Sequence, residues 1–336
     1  MPKPRIKDIA AEAGVSPATV SRVLNNRPGA MTEDTRRRVL DVIERTGYRP
    51  SGAARSLRAG RSGVIGVIIA DIRNPFSSAM LEQLSAQAAE RGLSIMTGIS
   101  GNDGAREREA IERLVDAGVD GLVVNTCGGA GNVLAEAREH VPVVLLDRDV
   151  PGSGLPLVTS NNAALVAGLV EELACAGCAH CYMLDENDPT SLIRRARGRA
   201  FVVELGARGI EGGVTTLAAD PEEAAVQVAA LAESDPASRV GLVAVNGLVF
   251  LRLVEALSGV DGTQLPANLR IATFDEYAWN RVLFGGITTA VQDTRGIAGA
   301  ALDLLENVQA EDAQAANAAP RVEVPGRVIT RASTRN

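Results

Sequence analysis

The first fifty positions carry helical spacing. Ile6, Ile9, Ala10 and Ala13 fall at i, i+3, i+4 and i+7, the apolar stripe of one short helix. Gly14 ends it, since glycine accepts the left-handed conformation at a helix terminus. Ser16 offers a capping oxygen, and Pro17 takes the first helical position, where its missing N–H costs nothing. A second helix follows, with Val20, Val23 and Leu24 apolar and Thr19, Ser21, Arg22 and Asn25 polar. A third runs from about 33 to 46, with Thr32 as cap, Val39, Val42 and Ile43 inward and Gly47 as stop. The spacing changes after position 63. Short apolar runs at 64–71, 93–100, 121–125 and 141–147 alternate with helical stretches such as 75–91. A second series follows at 179–185, 213–219, 239–246 and 270–275, with a helical stretch at 222–233. Alternating strands and helices predict parallel sheets covered by helices, and two series predict two Rossmann-like lobes. The expected fold is a small all-α helix-turn-helix head on an α/β body.

Residues 51–63, SGAARSLRAGRSG, join the two parts. Ala53, Ala54, Ser56 and Leu57 permit a short helix, while Arg55, Arg58 and Arg61 suit phosphates. A helix this short is marginal alone in water and orders only against DNA or a partner helix. A flexible Gly/Arg linker is the alternative.

Composition narrows the class. The chain has 336 residues, 46% hydrophobic and 22% charged, which excludes a disordered, collagen-like or coiled-coil protein. The longest apolar run, near Val64–Ala70, is far below the roughly 18 residues of a membrane span. The first ten residues have no apolar core, so we expect no export signal, a cytoplasmic protein and no membrane partner. Four cysteines in this length do not make a disulfide framework.

The net charge of −7 argues by itself against nucleic acid. Its distribution reverses that. Residues 1–61 hold 13 basic and 6 acidic side chains, so the excess of acid lies in the remainder. A basic head on an acidic body suggests a polyanion-binding module joined to something else. A short turn would set the second helix free to enter a major groove. Arg22 can read guanine bidentately, and Thr19, Ser21 and Asn25 can hold phosphates. A helical hairpin with a solvated polar face is the bland alternative.

Residue identity goes further. The run from Ile6 to Asn25, IKDIAAEAGVSPATVSRVLN, resembles the opening of lactose-repressor (LacI/GalR) family regulators. So do Thr35-Arg36 and Gly47-Tyr48-Arg49-Pro50, and the likeness continues to the C-terminus. The resemblance places Pro17, Ala18 and Arg22 at base-reading positions, with Ser16 beside them. It makes the linker a hinge helix, with Leu57 wedged into the minor groove and Ala54 at the helix contact before it. It implies a homodimer on a pseudo-palindromic double-stranded operator, with repression as the default sign. It divides the chain into a DNA-binding domain at 1–50, a hinge at 51–62 and a periplasmic-binding-protein-like body at 63–336. The lobes would be about 63–160 plus 292–322, and 161–291 plus 323–336.

Polar residues close the body's predicted strands: Asp71, followed by Asn74-Pro75-Phe76, then Asn125, Asp147-Arg148, Asn246 and Asp275. Such donors and acceptors over an aromatic face suit a sugar, and ligands bind where strand C-termini face a cleft. Each could instead cap the next helix. The resemblance implies that Asn246, Asp275, the Asp147-Arg148 pair, Phe76 and Arg195 hold the effector, Arg195 because it lies three residues before Gly198. Two departures leave the effector class open: Asn246-Gly247 lacks an acid usual in the family, and Gly285-Gly286 replaces a Pro-Pro. The cluster Arg194, Arg195, Arg197 and Arg199 allows a phosphorylated or carboxylated effector, or is simply solvated.

We find no catalytic motif, and expect no enzyme activity, cofactor or metal. Cys175, Cys178 and Cys181, with His180 among them, have a ligand-like spacing but lack a nearby fourth cysteine. Two rival classes remain: a solute-binding protein without a DNA role, and a nucleotide- or sugar-modifying α/β enzyme.

Overall fold

Capping chemistry and apolar spacing set three helices in the first unit of the computed structural model: α1 (Ile6–Ala13), α2 (Pro17–Leu24) and α3 (Glu33–Thr46). The structure describes residues 4–24, 31–48, 61–128, 131–186, 188, 191–233, 238–257, 265–310 and 319–335. It divides into two units, Met1–Ser62 and Gly63–Asn336. In the first, Gly14 takes φ +65°, the left-handed turn that lets α2 leave α1. The Ser16 hydroxyl accepts from the Thr19 amide at 3.1 Å, and the Thr32 hydroxyl accepts from Thr35 at 3.3 Å. Ile9, Val20 and Val39 meet in the centre, each 0% exposed. An ion pair of 2.6 Å between Arg45 and Glu12 adds a surface tie between α3 and α1.

In the second unit the chain builds β1 (Val64–Ile69), α4 (Pro75–Glu90), β2 (Ser94–Ile99), α5 (Gly104–Asp116), β3 (Leu122–Val124), α6 (Gly131–Arg138), β4 (Val143–Leu146) and β5 (Leu157–Ser160). It continues with α7 (Asn162–Cys175), β6 (Cys178–Asp185), α8 (Leu192–Arg208), β7 (Glu211–Thr216), α9 (Pro221–Glu233), β8 (Arg239–Ala244), α10 (Gly247–Leu257), β9 (Leu269–Phe274) and β10 (Thr288–Val291). It ends with α11 (Thr294–Ala310), β11 (Arg321–Val324) and β12 (Arg327–Ile329).

Two six-stranded sheets result, ordered β11-β5-β4-β3-β1-β2 and β12-β10-β9-β8-β6-β7. All pairings are parallel except β10 with β12. Alternation along β1 shows why both faces are covered. Ile65, Val67 and Ile69 pack with Met80 and Leu84 of α4 and Ile297 and Leu302 of α11. Ile68 points the other way, with Ile111 and Leu114 of α5 and Leu134 of α6. The second sheet has one continuous core that includes Phe201, Phe250 and Phe274.

The chain passes between the sheets three times, after β5, after β10 and after β11. β11 pairs over four residues, from Arg321 with Leu157 to Val324 with Ser160. The last passage therefore follows Val324 and not residue 322, a correction to the boundary expected from the sequence. At that passage a Cβ on Gly326 would lie 2.4 Å from the Val291 carbonyl oxygen, so only glycine fits. Most expected strands were drawn one to three residues too long at the C-terminal end, because their polar last residues lie beyond the ladder.

Leu253 of α10 is fully buried in the second core. Leu253→Ala should lower unfolding free energy by about 3 kcal/mol, measured as a shifted urea midpoint with unchanged slope. A loss below about 1 kcal/mol would contradict the packing described.

Candidate functional site

The head offers one outward helix face. Val20 and Val23 turn inward, which leaves Pro17, Ala18 and Arg22 exposed on α2. Ser16 is exposed too, and Thr19 and Ser21 are half-buried at the rim. The Ser16 hydroxyl is partly committed: it accepts from the Thr19 amide and lies 3.0 Å from the Thr19 hydroxyl. Asn25, Ala54 and Leu57 lie outside the described residues.

In the second unit a cavity opens between the two sheets. It is lined by Asn74, Phe76, Asp147 and Arg148 from the first sheet's side and by Ile193, Arg194, Arg197, Asn246 and Asp275 from the second, with Gln292 between them. Of the expected effector residues, Phe76, Asp147, Arg148, Asn246 and Asp275 come together here.

Two carboxylates set its geometry. Asp147 directly follows β4 and Asp275 directly follows β9, and both are left-handed, with φ +64° and +70°. Each amide donates to the next strand's neighbourhood, Asp147 to the Val158 carbonyl and Asp275 to the Ala290 carbonyl. A left-handed non-glycine residue costs on the order of 1 kcal/mol, tolerated here where it aims a side chain. Asp275 Oδ1 accepts from Gln292 Nε2 at 2.6 Å, and Gln292 Oε1 accepts from the Ser160 hydroxyl at 2.7 Å. Asp147 Oδ1 is buried without a hydrogen-bond partner.

Arg195 is a correction. It lies exposed on α8, and Arg199 with it. Arg197 is the buried arginine: it packs one turn before Phe201 on the inward face, with its guanidinium 3.8 Å above the Phe274 ring. Its Nε donates to Asn162 Oδ1 at 2.7 Å and its Nη1 to the Val245 carbonyl at 2.8 Å. Counting back from Gly198 selects an exposed arginine and not the buried one. The i, i+4 pair Arg197 and Phe201, in register with Leu205, marks the buried stripe and was the signal available.

Asp71 and Asn125 do not line the cavity. Asp71 accepts from Arg73 Nε at 3.0 Å and Nη2 at 2.9 Å, and the Asn125 amide donates to the Leu146 carbonyl at 3.1 Å. Both organise strand ends. Gln292, missed in the sequence, follows β10, a strand too short to show alternation. Glu107 was also missed. It sits fully buried on α5 and accepts from the Thr126 hydroxyl at 2.6 Å and the Cys127 amide at 2.5 Å. It thereby fixes the loop whose Thr126 carbonyl accepts from Arg148.

Electrostatics follow from burial. Burial pushes the Asp275 carboxyl up, and the Arg197 charge and the Gln292 hydrogen bond offset this only in part. Burial likewise lowers the Arg197 guanidinium, against the pull of Asp147 and Asp275. At Asp71 burial is outweighed by the Arg73 hydrogen bonds, which hold its carboxyl low. Asn246 caps α10 through the Val249 amide at 2.9 Å and donates to Glu186 at 3.0 Å. Gly247 stands where the family's acid is missing: a Cβ there would meet Tyr277 at 3.3 Å and Pro75 at 3.4 Å.

Cys178 and Cys181 are buried, Cys175 is exposed, and all are free thiols. Among the described residues no group of three His, Cys, Asp or Glu is placed to hold a metal. Two broader surface depressions flank the C-terminal segment, one near Cys175 and Arg335, the other near Phe284 and Arg331. Neither gathers strand ends from both sheets.

Residues 5–51 match the family of bacterial regulatory proteins, lacI family, and residues 65–312 match the periplasmic binding protein domain. The chain is 34% identical over 331 residues to the HTH-type transcriptional regulator PtxS of Pseudomonas plecoglossicida, covering 98% of this chain and 95% of that one. It is 31% identical over 313 residues to the sucrose operon repressor of Klebsiella pneumoniae, covering 90% and 91%. Its fold is similar to the lac repressor dimer bound to operator and the anti-inducer ONPF, with TM-score 0.83, 20% identity and 98% and 99% coverage. The chain belongs to the lacI family of bacterial regulatory proteins. It is a DNA-binding transcriptional regulator and not an enzyme. No helix among the described residues is long and apolar enough to cross a membrane.

Because the folded Asp275 carboxyl titrates above its unfolded value, folding binds its proton more tightly. Its contribution is favourable at low pH and is lost as pH rises past the unfolded value, near 4. Asp275→Asn keeps an acceptor for Gln292 and removes the charge. The variant should be more stable than the parent at pH 7 and match it more closely toward pH 4, by urea denaturation across pH. Lower stability at pH 7 would show that the charge is stabilising.

Proposed function

We propose that this regulator is a cytoplasmic homodimeric repressor whose affinity for a pseudo-palindromic operator is set by a sugar or sugar derivative bound between its lobes. The cavity carries the reading: strand-end groups of two sheets converge on one polar space over Phe76, and Asp147 lies in it without a partner. A hydroxyl would complete that carboxylate, and polyols supply hydroxyls. A relative agrees with this reading, the sucrose operon repressor of Klebsiella pneumoniae.

In this reading each head lays α2 in a major groove. Arg22 reads guanine, Pro17 and Ala18 shape the fit or touch a thymine methyl, and Ser16, Thr19, Ser21 and Asn25 hold phosphates. Residues 51–62 act as the hinge, with Ala54 at the helix contact and Leu57 wedged between base pairs. The effector residues are Phe76, Asp147, Arg148, Asn246 and Asp275, joined by Arg197 in place of Arg195. Asp71 and Asn125 support them from the strand ends. The lobes are 63–160 with 292–324, and 161–291 with 325–336. The effector acts by favouring one lobe angle, and the order of the hinge follows it.

Binding to random duplex DNA tests the head. The full chain should bind with an affinity that falls steeply with salt, and residues 62–336 should not bind. Equal behaviour of both would refute the assignment. On a duplex selected by the full chain, Arg22→Ala should cost about 1–3 kcal/mol and relax specificity. Leu57→Ala should weaken the same complex and leave effector affinity intact; loss of both would assign Leu57 to folding.

A further inference from the structure

The first turns of α4 and α10 meet across the cleft, and they are built alike. In each an asparagine caps the helix. Asn74 Oδ1 accepts from the Phe76 amide at 3.1 Å, and Asn246 Oδ1 accepts from the Val249 amide at 2.9 Å. The residue after each cap faces the opposite lobe. On α4 it is Pro75, a rigid ring whose fixed φ suits the first helical position. On α10 it is Gly247, buried and without a side chain. A Cβ on Gly247 would lie 3.4 Å from Pro75 Cγ, 3.6 Å from Pro75 Cδ and 3.3 Å from Tyr277 Cε2. Neither neighbour gives way easily. Pro75 has no free side-chain torsion, and Tyr277 is backed by Trp279, stacked on it at 4.7 Å. Gly247 does not take a positive φ, so its backbone would accept a side chain, and space alone calls for glycine. Charge does not set this approach. Arg73 of the first lobe is drawn toward Glu186 of the second, but its side chain is 80% exposed and paired with Asp71 at 2.9 Å, so water screens the pull.

We infer that residue 247 sets the angle between the lobes: because Gly247 has no side chain, Pro75 seats on the start of α10 and the first lobe closes on the second. Gly247 is a positioning residue and not a ligand group. Its amide donates to the Asp275 carboxylate, a backbone bond that a side chain leaves chemically intact. The inference gives a physical role to a departure visible in the sequence, where an acid usual in the family is absent beside Asn246. A side chain of that length would fill the seat and hold the lobes apart, since packed interiors transmit displacement. The consequence for DNA rests on the lobe-angle reading above; the seat itself does not.

The test measures an interlobe distance in the full chain by pulsed electron resonance. Spin labels go on Arg108→Cys of α5 and Val203→Cys of α8, both exposed, in a Cys175→Ser background, diluted with unlabelled protein so that one chain is read. Gly247→Asn supplies the length of the absent acid without a second carboxylate beside Asp275, and should lengthen the mean distance by about 1 Å or more. Gly247→Ser should lengthen it less, and keeps the test if the asparagine variant does not fold. Pro75→Ala removes the ring that the new side chain strikes, so the double variant should return most of the way to the parental distance. On a duplex selected by the full chain, Gly247→Asn should change operator affinity by about fivefold or more, and Pro75→Ala should reverse that change. A parental distance in both Gly247 variants overturns the inference. A lengthening that Pro75→Ala leaves untouched also overturns it, because the strain would then lie against Tyr277 within the second lobe. A longer distance with parental operator affinity leaves the seat standing and refutes the lobe-angle reading.

Discussion

The interlobe cavity gathers buried charges, Arg148, Arg197, Asp147 and Asp275, that form no ion pair with one another among the described residues. Arg148 and Arg197 sit buried against neutral oxygens, and Asp147 keeps a buried oxygen with no donor. Charges in such a place weaken a fold unless something completes them. The rest of the second unit can be understood as the scaffold that pays for this. Two fully apolar sheet cores, each covered by helices on both faces, provide the surplus, and the unsatisfied groups collect at the strand ends where the sheets meet. A site whose groups are incomplete alone is one that a ligand can stabilise by mass action.

The two lobes solve the same local problem twice. In each, an aspartate follows a central strand, takes the left-handed conformation and donates its amide toward the next strand. The chain direction does the rest, since parallel strands point all their C-termini to one edge. Repetition stops at the side chains. Asp275 is held by Gln292 while Asp147 is not held, and Arg197 is stacked on Phe274 while Arg148 is threaded between Asn102 and Thr126. That inequality makes the two sides of the cavity chemically unlike.

The head and the strand–helix alternation were legible because they rest on local rules. Caps, a left-handed glycine and i, i+3, i+4 spacing located α1 to α3, and apolar runs located eight strands, β3 and β4 among them although they hold only three and four residues. What escaped depended on pairing across distance. β5, β10, β11 and β12 are three or four residues long, too short for a period, and exist because neighbours in the sheet accept them. Gln292 inherits its place from one of them. Spacing from Gly198 pointed to Arg195, which is exposed, while the buried stripe runs through Arg197, Phe201 and Leu205. Asp71 and Asn125 have the right residue type at the right strand ends, yet their hydrogen bonds go to Arg73 and to the Leu146 carbonyl. Residue type at a strand end nominates a ligand group; lining the cavity is what separates Asp147, Asn246 and Asp275 from Asp71 and Asn125.

Control of DNA binding requires that the ligand distinguish two arrangements of the lobes, since equal affinity for both shifts nothing. The residues able to make that distinction are few. The three passages between sheets bring Asn161, Gln292 and Gly326 together: the Gly326 amide donates to Asn161 Oδ1 at 2.8 Å, and Gly326 sits against the Val291 carbonyl. Gln292 bonds Ser160 on one side and the ligand-facing Asp275 on the other. Asn162 repeats the motif, donating to the Ser160 carbonyl while accepting from Arg197. Two cavity groups, one acidic and one basic, are therefore each one hydrogen bond from a residue at the passages between the sheets. Site and passages thus share side chains, with Gln292 and Asn162 belonging to both.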